Sequence, residues 1–170
     1  MSNFAGFEAR KVVNLILDNF DPIQYDLTNL KLQKAAFVFH GLILCRSGEP
    51  LIRNHFETWD HGPVISNLYH ELKAYGTRPV TSKITYFSYE KAERVLVEHD
   101  DVIDRFGREI LITARAILDR TVHDLYAEVH EIDGPWDVIR KEHGTERSSR
   151  IPNYLIKDYF VRKYGGMALH

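Results

Sequence analysis

Residues 56–76 read FETWDHGPVISNLYHELKAYG, and the rest of the chain is organised around this stretch. Phe56-Glu57-Thr58-Trp59 suits a short strand or an extended entry segment. Asp60-His61 makes a turn. Gly62 then falls where an N-cap is expected, and Pro63 at the first helical position, where a missing N–H costs nothing. Val64, Leu68, Leu72 and Tyr75 recur at helical spacing, with Ile65 and Tyr69 widening the stripe. Gly76 ends the helix where a left-handed residue is needed. A tryptophan and two glycines so placed imply a close, fixed approach of backbone to core.

Upstream, Phe7 to Phe20 reads as a helix with Val13, Ile16, Leu17 and Phe20 on one side, closed by Asp21-Pro22. Thr28 is the expected N-cap of a second helix that carries Leu30, Ala35, Phe37, Val38, Leu42 and Cys45. The middle of that helix is apolar nearly all round, so it belongs at the centre of the fold. Ser47-Gly48-Glu49-Pro50 closes it, and Leu51 to Arg53 is read as a short strand.

Downstream, Ser82 to Tyr89 reads as a strand and Tyr89 to His99 as a helix. Asp100-Asp101 open a long amphipathic helix to about Arg120, because acidic residues offset the positive end of the helix dipole. Thr121 caps the next helix, with Leu125, Tyr126 and Val129 inward. Asp133-Gly134-Pro135 breaks the chain before Trp136. His143 to Ser149 is a polar loop, and Pro152 introduces a last helix through Tyr164. The reading is a mainly α, compact single-domain fold over residues 1–170 with a small antiparallel β element.

Composition bounds the function. The 170 residues are 44% hydrophobic and 27% charged, with a formal charge of −2. That is an ordinary globular balance, with no chain-wide basic charge to favour nucleic acid. Cys45 is the single cysteine, so no internal disulfide forms, and a reducing cytoplasmic setting is expected. The apolar run from Ala35 to Cys45 is short of the roughly 20 residues a membrane span needs. There is no HExxH, CxxC, phosphate-binding glycine loop or GxSxG elbow, so no catalytic residue, metal or cofactor is expected.

The pattern WDHGPVISNLYHELKAYG (residues 59–76) resembles the signature of the Panacea antitoxin domain, the family of SocA-type proteolytic adaptors and phage-associated proteins. Two further blocks are similar to that family. One is Leu27-Thr28-Asn29-Leu30-Lys31-Leu32-Gln33-Lys34, followed by His40 and Gly41. The other is His130-Glu131 with Gly134-Pro135-Trp136. The blocks stand in the family's order and span most of Leu27 to Phe160. The resemblance implies an antitoxin that binds a cognate toxin protein directly, with the SocA-type variant presenting it to an ATP-dependent protease. Asp60-His61, where the family often has another pair, and Val129 before His130 depart from its pattern and bear on partner specificity.

Individual residues carry two readings each. Trp59, Asp60 and His61 form either a partner-facing cluster at a helix N-terminus or a packed turn. Asn29, Lys31 and Gln33 either face a partner or are merely solvated, and Tyr69 joins Trp59 as a candidate contact. His40 is expected to be a hydrogen-bonded core histidine. Gly62, Pro63, Leu68, Gly76, His40, Gly134, Pro135 and Trp136 are the fold-defining set, with Trp136 packing inward or serving as a partner anchor. The rival functions are a metal-dependent hydrolase on Asp60, His61 and His130, and a DNA-binding autoregulator using the helix from Ser66 to Lys73.

Overall fold

Helix α2 (Asn29–Ser47) is the axis of the fold, and its residues explain why. Residues 31–44 are buried without interruption, so neighbours must cover every side of it. The computed structural model describes residues 4–145 and 148–166, and α2 contacts α1 (Ala9–Asn19), α4 (Asp100–Leu118), α5 (Val122–Val129) and α7 (Asn153–Tyr164). Burial of each Leu, Ile, Val or Phe in this core contributes about 1.5–3 kcal/mol. Thr28 caps α2 as expected, its hydroxyl accepting from the Lys31 N–H at 3.2 Å. Gly48 closes it in the left-handed region at φ +74°.

A helix enclosed on all sides must also accommodate its polar residues. Lys31 is buried, and its ammonium donates to the carbonyls of Tyr25 (2.6 Å) and Leu118 (2.8 Å), placing a cation on the last carbonyls of α4. His40 is wholly buried. Its Nδ1 accepts from the Ile52 N–H at 3.1 Å, so Nε2 carries the proton and donates to Asn153 Oδ1 at 3.0 Å. Burial pushes its pKa down to about 4, so the ring is neutral, as expected of a core histidine. At Gly41 the absent side chain matters: a Cβ would stand 2.1 Å from the Phe160 ring. Glycine there lets α7 press against α2.

Strand β1 (Phe56–Trp59) pairs antiparallel with β2 (Gly62–Val64) and with β5 (Arg150–Ile151). A second antiparallel pair joins β3 (Thr85–Ser88) to β4 (Glu93–Leu96). Helices α3 (Ser66–Leu72) and α6 (Pro135–His143) complete the elements, with a 3-10 turn at Lys73–Tyr75. Thr121 and Asp124 form a reciprocal capping box at α5. The mainly α architecture with a small antiparallel sheet is as expected.

Several expectations are corrected. Gly62 and Pro63 belong to β2, not to a helix start. The helix begins at Ser66 with Ile65 as its N-cap, because pairing with β1 holds the intervening residues extended. Tyr89 to His99 is not helical. Its residues turn at Ala92 (φ +53°) and return as β4. The buried Asn14 carboxamide fixes the base of that hairpin, donating to the Ile84 and Val97 carbonyls (both 2.9 Å) and accepting from the Ile84 N–H (2.7 Å). Leu51 to Arg53 forms only an isolated bridge, between Ile52 and Phe7. β5 adds a third strand directly after the expected polar loop, in which residues 146 and 147 lie outside the described residues.

Candidate functional site

The Trp59–Gly62 segment is a tight hairpin in which Trp59 pairs with Gly62 across Asp60-His61. Neither Asp60 nor His61 has a positive φ, and the left-handed residue is Gly62 just after the turn, at φ +97°, the place a glycine takes at a G1-type bulge. A Cβ there would also lie 2.8 Å from the His130 ring and 3.1 Å from Lys34 Nζ. The hairpin therefore rests directly on α2 and α5.

Two sets of side chains pin it. From below, Gln33 Oε1 accepts from the Ile65 N–H at 2.9 Å, and Asn29 Nδ2 donates to the Tyr69 carbonyl at 3.2 Å. Lys34, fully buried, donates to the Pro63 carbonyl at 3.1 Å. Burial pushes this lysine down to about 7. From the side, Trp136 Nε1 donates to the Trp59 carbonyl at 2.9 Å. Arg140 donates to the Thr58 carbonyl at 3.3 Å and pairs with Asp60 at 3.1 Å, with its guanidinium 5.2 Å from the centre of the Trp136 ring. Gly134 and Pro135 place Trp136 in the first turn of α6, Pro135 being the first helical residue. Trp136 is half-buried and packs against the core, so its inward reading holds.

The outer side of this assembly is a groove of about 380 Å³ lined by Leu30, Trp59, His61, Val64, Tyr69 and Lys73, among others. Trp59 and Tyr69 form one wall, ring centres 5.0 Å apart at 58°. Trp59 Nε1 donates to Glu57 at 2.9 Å, which orients the indole. Tyr69 is 36% exposed and Leu30 41%. The geometry can seat a large apolar or aromatic group against the ring wall.

The candidate residues thus divide. Trp59, Asp60, His61 and Tyr69 come together at the groove, the first three in a hairpin turn and not at a helix N-terminus, and Tyr69 from α3. Asn29, Lys31 and Gln33 are buried, against the expectation that they face outward; Asn29 and Gln33 form the groove's floor. Apolar residues all round α2 were the signal, since such a helix has no solvated face. Leu30 and Arg140 were missed, and Lys73 was named only in the helix of the DNA-binding rival. Only the fold shows that Leu30 points out of α2 and that Arg140 reaches the hairpin.

The metal-hydrolase trio does not assemble as a ligand set. His130 stacks on Tyr126 (3.9 Å between ring centres), donates from Nδ1 to the Tyr126 carbonyl at 2.8 Å, and meets Trp136 edge-on. Burial holds it below the usual imidazole range. Asp60 is turned to Arg140. Among the described residues, no group of three or more His, Cys, Asp or Glu side chains could hold a metal ion.

Fold and groove together define a mainly helical protein that presents a pinned, aromatic-walled recess. Comparison with known proteins supplies the family. Residues 32–145 match the family described as Antitoxin SocA-like, Panacea domain, and the chain belongs to that family. Antitoxin SocA of Caulobacter vibrioides (strain NA1000 / CB15N) is 31% identical over 158 residues, covering 90% of this chain and 82% of that protein. No solved structure matches the chain. None of the described helices is long and apolar enough to cross a membrane.

Proposed function

We propose that this chain is a cytoplasmic, non-enzymatic antitoxin, acting as one domain, that neutralises a cognate toxin protein by direct contact through the Trp59–Tyr69 groove. The observation that carries the reading is the groove itself. Half-exposed aromatic and apolar side chains line it, and hydrogen bonds from two helices hold its hairpin wall in place. Binding energy at protein interfaces concentrates in Trp and Tyr set in such recesses. Family membership supports a toxin as the partner. A fixed wall lowers the ordering cost of association.

The resemblance to SocA-type proteins adds the finer reading that the bound toxin is passed to an ATP-dependent protease. The chain would then act as an adaptor, and its toxin's half-life would fall with its expression.

The test is co-expression with the products of the neighbouring genes. One of them is expected to arrest growth alone and to be neutralised, in a one-to-one complex, by this chain. Tyr69→Ala is expected to abolish neutralisation while the thermal midpoint stays within a few degrees of the parent. Full neutralisation by Tyr69→Ala combined with Lys73→Ala would move the interface off this groove. Loss of toxin only in cells holding an active ATP-dependent protease would establish delivery over masking.

A further inference from the structure

The groove carries a charge pattern that specifies the chemistry of what it binds. Two of the nearby carboxylates are paired with cations. Asp60 pairs with Arg140, Glu57 accepts from the Trp59 indole, and Glu71 pairs with Arg10. The cations are not so matched. Lys73 lines the groove, is exposed, and among the described residues has no ion pair. Arg78, just beyond Gly76, donates to the carbonyls of Tyr75 and Ala74 and among the described residues has no ion pair. His61 lines the same groove, and His70 meets the Trp59 and Tyr69 rings; neither is counted as a cation. The recess is therefore an apolar slot with the Lys73 cation on its lining and Arg78 two residues beyond the lining residue Gly76.

Backbone pairing is closed to an incoming segment. β2 is the outer strand of its sheet, but Pro63 has no N–H, and Lys34 takes its carbonyl. Gln33 holds the Ile65 N–H. A partner cannot add a strand here, so side chains must do the recognising. A recess of about 380 Å³ is at the small end for a binding site and suits one large side chain with its flanks.

We propose that the groove takes an acidic segment of the partner protein, seating one apolar side chain between the Trp59–Tyr69 wall and Leu30, with adjacent carboxylates facing Lys73 and Arg78. This rests on the groove being the partner-binding face. The apolar anchor supplies affinity, while the carboxylates set register and speed encounter. A second copy of this chain or a nucleic acid would be a different occupant.

The probe is a displayed library of random peptides of about twelve residues, a length that reaches across the recess and its rim. It is selected on the full-length protein, and the enriched peptides are assayed on Lys73→Glu, Lys73→Arg and Tyr69→Ala. Enriched sequences are expected to place Leu, Ile, Phe or Trp within a few positions of Asp or Glu. Lys73→Glu should weaken them roughly fivefold to tenfold, as reversal of a partly exposed charge pair does. Lys73→Arg should retain binding, and Tyr69→Ala should lose it. Basic or uncharged peptides that bind Lys73→Glu equally well would overturn the acidic assignment and leave the groove as the contact face. Peptides that ignore Tyr69→Ala, a concentration-dependent dimer broken by Tyr69→Ala, or duplex DNA bound in place of peptide would each overturn the proposal. The co-expression assay reports separately, so toxin neutralisation in any of those cases would keep the antitoxin reading on another face.

Discussion

Trp136 Nε1 donates to the backbone carbonyl of Trp59 at 2.9 Å, so the two tryptophans form one unit across 77 residues of chain. Trp59 faces the groove while Trp136 sits behind it, between His130 and Arg140. The carbonyl that Trp136 holds lies at the hairpin corner, where the strand leaves its pairing. Trp136→Phe keeps an aromatic ring but removes the donor and part of the indole's packing. It should cost about 1 kcal/mol for the hydrogen bond and more for the lost volume, read from the urea midpoint. Affinity for the groove's ligand should fall with it, because the wall is no longer held.

Gly41 faces Phe160 with no room for a methyl group. Gly41→Ala should destabilise by about 1–3 kcal/mol, the range for forced overpacking, despite alanine's better helix propensity. Combining it with Phe160→Leu should recover part of that loss. Simple additivity in denaturant unfolding would show that the two positions do not collide.

Asn14 makes three hydrogen bonds to the stem of the β3–β4 hairpin from a wholly buried position. Asn14→Leu leaves the Ile84 N–H and the Val97 carbonyl unpaired, while the Ile84 carbonyl keeps the Val97 N–H at 3.1 Å. Each such group costs about 1–3 kcal/mol, so the variant should lose several kcal/mol or shed the hairpin locally. Amide exchange separates these outcomes. Fast exchange confined to residues 84–97 marks local release.

Lys34 titrates near 7 in the fold against 10.4 in an unfolded chain. Its folded value is lowered, so between those two values the unfolded state binds more protons. Stability therefore rises with pH across that window, by at most about 1.4 kcal/mol per pH unit from this group. Lys34→Met should flatten the rise between pH 7 and about 9.5 in denaturant midpoints measured beside the parent. An unchanged pH profile would mean that the amine is solvated.

His40 gives the opposite limb. Its folded value of about 4 lies below the roughly 6.5 of an exposed histidine, so its contribution is complete above 6.5 and drains as pH falls toward 4. Acid unfolding of the parent should begin in that interval. His40→Gln should be less stable at neutral pH, having lost ring packing, yet show a shallower acid slope.

Much of the fold is legible in the chain alone, because the deciding signals are local. Thr28 as a cap, Asp100-Asp101 at a helix start, the Gly134-Pro135 break and the helical spacing of apolar residues in α4 and α7 act within a turn or two of themselves. Enclosure of α2 was equally readable from its apolar surface, and with it the burial of His40. What needed the tertiary structure were the places where a distant partner outweighs local preference. Gly62 and Pro63 fit a helix start, but β1 recruits them into a strand. Glu93 to Leu96 suits a helix, but pairing with β3 and the Asn14 clamp at the hairpin base hold it extended. Asn29, Lys31 and Gln33 look solvated until carbonyls and amides from Tyr25, Ile65, Tyr69 and Leu118 arrive to satisfy them. Sequence determined the helices α1, α2, α4, α5 and α7 and which helix is central, since propensity and amphipathic period are properties of contiguous residues. The groove was decided only in three dimensions, since its walls come from α2, the hairpin and α3 and its support from α6, and no short-range pattern encodes their meeting.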